Sequence, residues 1–240
     1  WPWPRELYAA VLDTLNRYQT RAVGFDILFT EPSAFGVSDD GALGKSIAAN
    51  SHFASGSVFP GNTNGKFSRW PDDIPRPPYA ITGELRKTHQ IPSYSRFTMP
   101  IPEVSKNASV LCNVHHDPDD DGIYRSLHPL VFADSVPLPA LGLGVYLAAH
   151  PESKVSLHDN TLSVADAVIP LKESGEALIR FRGPPGTYKR ISAATLIREE
   201  MLHRNGETGK ITINQQLNNK YVVFGFSAPG LFDLRPTPVG

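Results

Sequence analysis

The sequence is short of cysteine and of any charge imbalance. Cys112 is its one cysteine, so neither an intramolecular disulfide nor a thiolate-rich structural zinc site is available. A single thiol does not fix the compartment. A chain of 240 residues buries enough core to do without disulfides even outside the cytosol. Within Ser109-Val110-Leu111-Cys112-Asn113-Val114 the thiol reads as a small apolar core residue. Lys and Arg number 23 against 24 Asp and Glu, a formal charge of −1, which excludes the basic footprint of a nucleic-acid binder. No apolar run approaches the roughly 18 residues of a membrane span. Trp1-Pro2-Trp3-Pro4 lacks the basic start and apolar core of a signal peptide.

What is present is ordinary globular composition, 40% hydrophobic and 20% charged, with one excess. Proline reaches 22 residues, or about 9% against a usual value near 5%.

The chain alternates helix and strand signals at first. Pro4 suits a first helical turn, and Leu7, Val11, Leu12, Leu15 and Tyr18 form one apolar stripe, which predicts a helix over 4–18. Residues 22–29 are nearly all apolar and predict a buried strand covered on both faces. Ser38, with Asp39 and Asp40 behind it, predicts a capped helix to about Asn50. A strand follows over 52–59. This order predicts an α/β fold, a layered mixed sheet flanked by helices, with neighbouring parallel strands.

Regular periods then stop. Residues 60–102 carry Pro75, Pro77, Pro78, Pro100 and Pro102 together with Trp70, Tyr79, Tyr94 and Phe97. The prolines predict an irregular insertion, and the aromatics predict that it packs as a covering loop. Beyond it, 109–116 and 123–132 predict a hairpin around the turn Asp117-Pro118-Asp119-Asp120-Asp121-Gly122. A helix is expected over 139–149, short strands over 154–158, 161–164, 167–171 and 177–181, a helix capped by Ser192 to about His203, and a last buried strand over 221–226. No repeat or domain boundary interrupts 1–240, which reads as a single domain.

Three groups are candidates for chemistry. Asp26 interrupts an apolar strand and Glu31 lies just past its end, where open α/β sheets bind ligands. Asp26 reads either as a ligand or metal carboxylate or as a structural one, because burial of an unpaired carboxylate is costly. The turn Asp117–Gly122 spaces carboxylates like the first half of a calcium loop, but the twelfth position is His128 where a bidentate Glu is needed. A solvated acidic turn is the competing reading. His115 and His116 point to opposite faces of a strand and cannot chelate one ion together.

Other motifs fail. Gly44-Lys45-Ser46 lacks the earlier glycine of a phosphate loop, because position 39 is Asp39. Gly225-Phe226-Ser227-Ala228-Pro229 has proline where a nucleophile elbow needs its second glycine. Gly142-Leu143-Gly144 sits inside a helix without a third glycine. Arg180, Arg182, Lys189 and Arg190 flank the loop 183–186 as ordinary surface charges or as an anion site.

An ordered set of segments carries a resemblance. It comprises Trp3-Pro4-Arg5, Val23-Gly24-Phe25-Asp26-Ile27-Leu28-Phe29-Thr30-Glu31-Pro32, Asp39-Asp40, and Asn113 with Asp117-Pro118-Asp119. It continues through Asp121-Gly122-Ile123-Tyr124-Arg125, Ile179 to Gly183, Ile191-Ser192-Ala193-Ala194, Gly225 to Asp233, and Thr237-Pro238. Together these span nearly the whole chain and resemble the type-two CHASE domain, an extracellular sensory domain associated with cyclases and histidine kinases.

The resemblance implies a non-catalytic input module on the periplasmic side of a bacterial inner membrane. It implies a transmembrane helix before Trp1 and further spans after Gly240. A nucleotide cyclase, histidine kinase, diguanylate cyclase or Ser/Thr kinase is then expected as output. No cofactor and no nucleic acid come with it; an unidentified small molecule and a second copy of the receptor are the expected partners. The ligand is expected near Asp26, Glu31, Asp117, Asp119, Asp121 and Arg125, under the 60–102 segment. Two alternatives remain. One is a metal-assisted hydrolase using Asp26, Glu31 and a carboxylate of 117–121. The other is a ligand-free spacer that dimerises through helix 4–18.

Overall fold

The computed structural model describes residues 3–61, 65–79, 81–83, 91–184, 186–207, 214–226 and 236–239. The chain begins with α1 (Arg5–Arg17), β1 (Ala22–Phe25), α2 (Val37–Ala49) and β2 (Phe53–Pro60). Short strands follow, β3 (Ile81–Gly83), β4 (Ser93–Tyr94) and β5 (Phe97–Thr98), then α3 (Pro102–Ser105). Next come β6 (Val110–Asn113), β7 (Ser126–Leu127), β8 (Leu130–Ala133), β9 (Val136–Pro139) and α4 (Leu141–Ala149). The remainder is β10 (Val155–His158), β11 (Thr161–Val164), β12 (Ala167–Pro170), β13 (Ala177–Leu178), α5 (Ala193–Arg204), α6 (Asn214–Leu217) and β14 (Tyr221–Phe224).

The centre is a parallel sheet in which β1 pairs with β14 and β2, and β2 pairs with β6. β5 runs antiparallel against the end of β2. β1 is buried at every residue, as expected of a strand covered on both faces. Val23 and Phe25 face Tyr8, Leu12, Leu15, Leu43, Ile47 and Leu196 of the helical layer α1, α2 and α5. Ala22 belongs with Val145, Leu147 and Ala148 of α4 and with Val155, Leu157 and Leu162 of the outer sheet. The expected mixed α/β layering is therefore present.

The close fit of α4 has a simple cause. A Cβ at Gly24 would lie 2.3 Å from Val145 Cγ2, and one at Gly144 would lie 2.1 Å from Cys112 Sγ. Both glycines let backbone approach where any side chain would clash. Cys112 is fully buried there, and burial pushes its thiol pKa well up. It is a core residue, as its apolar surroundings in the sequence imply.

Several boundaries differ from expectation. In α1 the buried aromatic is Tyr8, whereas Leu7 is only half-buried. β1 stops at Phe25, although Ile27 and Phe29 beyond it are still buried. α2 starts after Gly36, whose φ of +99° suits glycine alone. Ser38 is therefore already inside the helix and makes no cap.

The predicted hairpin of 109–116 with 123–132 is absent. β6 joins the central sheet beside β2, β7 pairs with β13, and β8 pairs with β9. Pro129 lies between β7 and β8 and has no N–H to offer a continuous ladder. Asp134 and Ser135, at φ of 45° and 63°, close a two-residue turn that commits β8 to β9 instead. The segments 154–158, 161–164 and 167–171 do form strands, an antiparallel meander of β10, β11 and β12.

The proline-rich stretch is packed where it is described. Trp70, Ile74, Phe97 and Met99 are buried together with Val131, Val136 and Leu138. It also contributes β3 to β10 and β4 to β8, strands its composition does not announce. Their ladders are completed by distant partners, so no local period marks them.

α1 is fastened to α5 by polar contacts as well as apolar ones. Arg17 Nη1 meets Glu200 Oε2 at 2.6 Å, Arg204 Nε meets Glu200 Oε1 at 2.9 Å, and Arg204 Nη2 meets Asp13 at 3.0 Å. Glu200 is buried. Burial alone would raise its pKa, but the hydrogen bonds and charges of both arginines outweigh it and hold it below the ordinary 4.5.

Candidate functional site

Asp26 stands at the carboxyl end of β1. Its N–H closes the parallel ladder to the Phe224 carbonyl at 2.8 Å. Its side chain is exposed, so the burial expected from its apolar neighbours does not occur. The strand ends one residue earlier, which puts Asp26 on the rim of the sheet.

The loop after Asp26 is organised from below by a buried ionic cluster. Pro4 precedes α1 and has no side-chain acceptor for the first free amides of the helix. Asp39 supplies one across space. Its Oδ2 accepts the N–H of Arg5 at 2.7 Å, and its Oδ1 accepts that of Glu6 at 2.9 Å. Asp39 also takes a short hydrogen bond from the Ser33 hydroxyl. Asp40 takes Arg5 Nε at 3.3 Å and the Ser33 N–H at 2.9 Å. Arg5 Nη2 then donates to the Glu31 carbonyl at 3.0 Å, and its guanidinium lies 4.7 Å from the Phe29 ring centre. Burial alone would raise the Asp39 carboxyl, but the bonds from Ser33, Arg5 and Glu6 outweigh it and its pKa falls below the ordinary 3.8. This cluster fixes the strand-end loop to both helix starts.

Glu31 projects from that loop. Its side chain is 71% exposed and meets Lys66 Nζ at 2.5 Å. Lys66 also donates to the Thr30 carbonyl at 3.3 Å. The proline-rich segment thus touches the strand-end loop through Lys66 and through the Ile101 N–H, which donates to the Phe29 carbonyl at 2.8 Å.

The acidic turn is organised by Arg125. Its guanidinium is bidentate to Asp121, at 2.8 and 2.7 Å, and reaches Asp119 Oδ2 at 3.0 Å. Gly122 takes φ of +80°, and its N–H donates to the Asp119 carbonyl at 2.8 Å. Hydrogen bonding to Arg125, chiefly, lowers the Asp121 pKa to about 2. The Tyr124 N–H donates to the Pro236 carbonyl at 2.9 Å, which ties the turn to residues near the end of the chain. Asp117 lies apart from Arg125, with its carboxylate 3.6 Å from His115 Nε2.

Of the six candidate residues, Asp119, Asp121 and Arg125 are brought together, and Glu31 pairs elsewhere. Among the described residues, no three His, Cys, Asp or Glu side chains are grouped as metal ligands. Gly44 lies inside α2, where a Cβ would be 3.1 Å from Glu103, so no phosphate loop exists there. Gly142 and Gly144 lie inside α4. Arg180, Arg182, Lys189 and Arg190 are exposed. Ser227 falls outside the described residues.

One concavity has no forerunner among the candidate residues. A cavity of about 360 Å³ is lined by Trp70 to Arg76. A tryptophan followed by two acids, two prolines and an arginine within seven positions was the available signal. It is hard to weigh because every period is missing around it.

A family model described as the CHASE2 domain matches residues 1–240, the whole chain. No curated protein and no solved structure matches it.

Proposed function

The chain belongs to the CHASE2 domain family, and on that premise we propose that it is the ligand-sensing extracytoplasmic input domain of a membrane-bound bacterial receptor. CHASE2 domains are sensory and typically extracellular in signalling proteins. The match along all 240 residues is the observation that carries this reading. In the proposed receptor the output is a nucleotide cyclase, a histidine kinase or a diguanylate cyclase. The domain itself is non-catalytic and works as a pair of copies.

The polar side chains support such a role. Asp39, Asp40 and Glu200 are spent on arginines that join helices, and Asp119 and Asp121 on Arg125. These pairings set shape, and none of them aligns a base with a nucleophile. A ligand signals only by favouring one arrangement over another. The Glu31–Lys66 contact is the proposed point at which the proline-rich segment reports to the strand-end loop.

The test is the output of the intact receptor in spheroplasts, with a panel of small metabolites and ions added outside. The reading predicts an output change that is lost when residues 1–240 are deleted. An equal response after that deletion contradicts it.

A further inference from the structure

We propose that the cavity of Trp70–Arg76 is a binding site for a small zwitterion, of the class of free apolar amino acids. Its physiological meaning rests on the sensory reading above, but its chemistry does not.

The segment is held by two residues outside it and by one bond within it. The Trp70 N–H donates to Asp134 Oδ2 at 2.6 Å, and its indole Nε1 donates to the Ile74 carbonyl at 3.0 Å. Asp73 is gripped by Lys106 at 2.7 Å. Trp70 is 5% and Ile74 7% exposed, and Pro71 and Pro75 restrict the backbone on either side. The cavity is therefore pre-formed, which lowers the ordering cost of binding. Its 360 Å³ sits at the small end of ligand pockets, which run to roughly 1,000 Å³, and suits an amino acid better than a nucleotide.

The charges select the class. Asp73 is already neutralised by Lys106. Among the described residues Asp72 and Arg76, which line the same cavity, have no hydrogen-bond or ion-pair partner. That leaves one carboxylate and one guanidinium on one concave surface beside proline and isoleucine. Asp72, Asp73, Lys106 and Arg76 sum to zero charge, so a lone anion or cation unbalances the site and a zwitterion does not. The Arg76 fork matches a ligand carboxylate, Asp72 matches its ammonium, and the apolar wall takes its side chain.

Isothermal titration calorimetry on the 240-residue domain tests this. The probes are L-leucine, L-valine and L-proline, with 4-methylpentanoate and 3-methylbutylamine as half-ligands. We expect one-to-one binding of at least one amino acid and at least tenfold weaker binding of both half-ligands. Arg76→Gln and Asp72→Asn, both at exposed positions, are expected to weaken binding at least tenfold while leaving the thermal midpoint unchanged. Failure of all three amino acids to bind at millimolar concentration overturns the proposal. So does full affinity in either variant, or a half-ligand that binds as tightly as an amino acid. Binding that obeys these rules without any change in receptor output leaves the site standing and removes its role in sensing. A receptor that responds to another class of molecule only, with no amino-acid binding, removes the site and leaves the sensory reading standing.

Discussion

The backbone N–H of Arg5 donates to the carboxylate of Asp39 at 2.7 Å, so a residue of α2 caps the start of α1. Asp40, the next residue, holds the Arg5 side chain at 3.3 Å. Side-chain exposure is 10% for Arg5 and 6% for Asp40, so the pair is shielded from solvent. Removal of one partner of a buried pair costs about 3–5 kcal/mol, and loss of a cap about 0.5–2. Asp40→Ala is therefore expected to destabilise more than Asp39→Ala in urea titrations. Equal small effects would show that the cluster is not holding the helix starts.

Gly144 and Cys112 form a second tight pair, with 2.1 Å between the sulfur and a built Cβ. Gly144→Ala is expected to cost about 1–3 kcal/mol by overpacking. Adding Cys112→Ala removes the clashing atom, so the double variant is expected to be more stable than Gly144→Ala alone. A double-mutant cycle that is strictly additive would contradict this contact.

His128 gives a pH dependence. Burial lowers its pKa below the ordinary 6.5; Glu176, the Gly175 carbonyl and Asp117 pull it up, and Lys172 pushes it further down. Its Nδ1 is buried with no hydrogen-bond partner among the described residues. Below pH 6.5 the unfolded chain binds this proton more readily than the folded one. Stability should therefore fall as pH drops from about 6.5 toward the folded pKa. His128→Gln is expected to flatten that part of the thermal-midpoint profile. A profile unchanged by the variant removes His128 as its source.

Asp121 titrates near pH 2 because Arg125 holds it. Carboxyl-detected NMR on Arg125→Gln is expected to show its pKa returning toward the ordinary 3.8. The Tyr124 amide, which bonds Pro236 at 2.9 Å, is expected to exchange faster in the same variant. No change in either would show that the turn is held by its backbone alone.

The layered core was legible where the signal is local. The stripe of α1, the apolar run of β1 and the evenly spaced β10, β11 and β12 are each written in a few consecutive residues. The Asp39–Arg5 cap spans 34 positions, and no local rule announces such a contact. The hairpin failed because Pro129 and the Asp134–Ser135 turn outweigh the apolar alternation around them. Asp26 was expected to be buried because the apolar run passes through it, whereas the strand ends before it. Of the site, the acidic turn and its arginine were visible by composition and spacing. The cavity at Trp70–Arg76 was not, since proline-rich segments carry no period.

The central claim is that this domain binds a small molecule, and thermal unfolding of the 240-residue domain against a panel of metabolites, inorganic anions and calcium tests it most directly. A ligand at a hundred times its Kd adds about 2.7 kcal/mol. For a domain of this size that is a rise in Tm of about 5–10 °C. The account predicts at least one dose-dependent rise of that order. A flat response across the panel from a fully folded domain would contradict it.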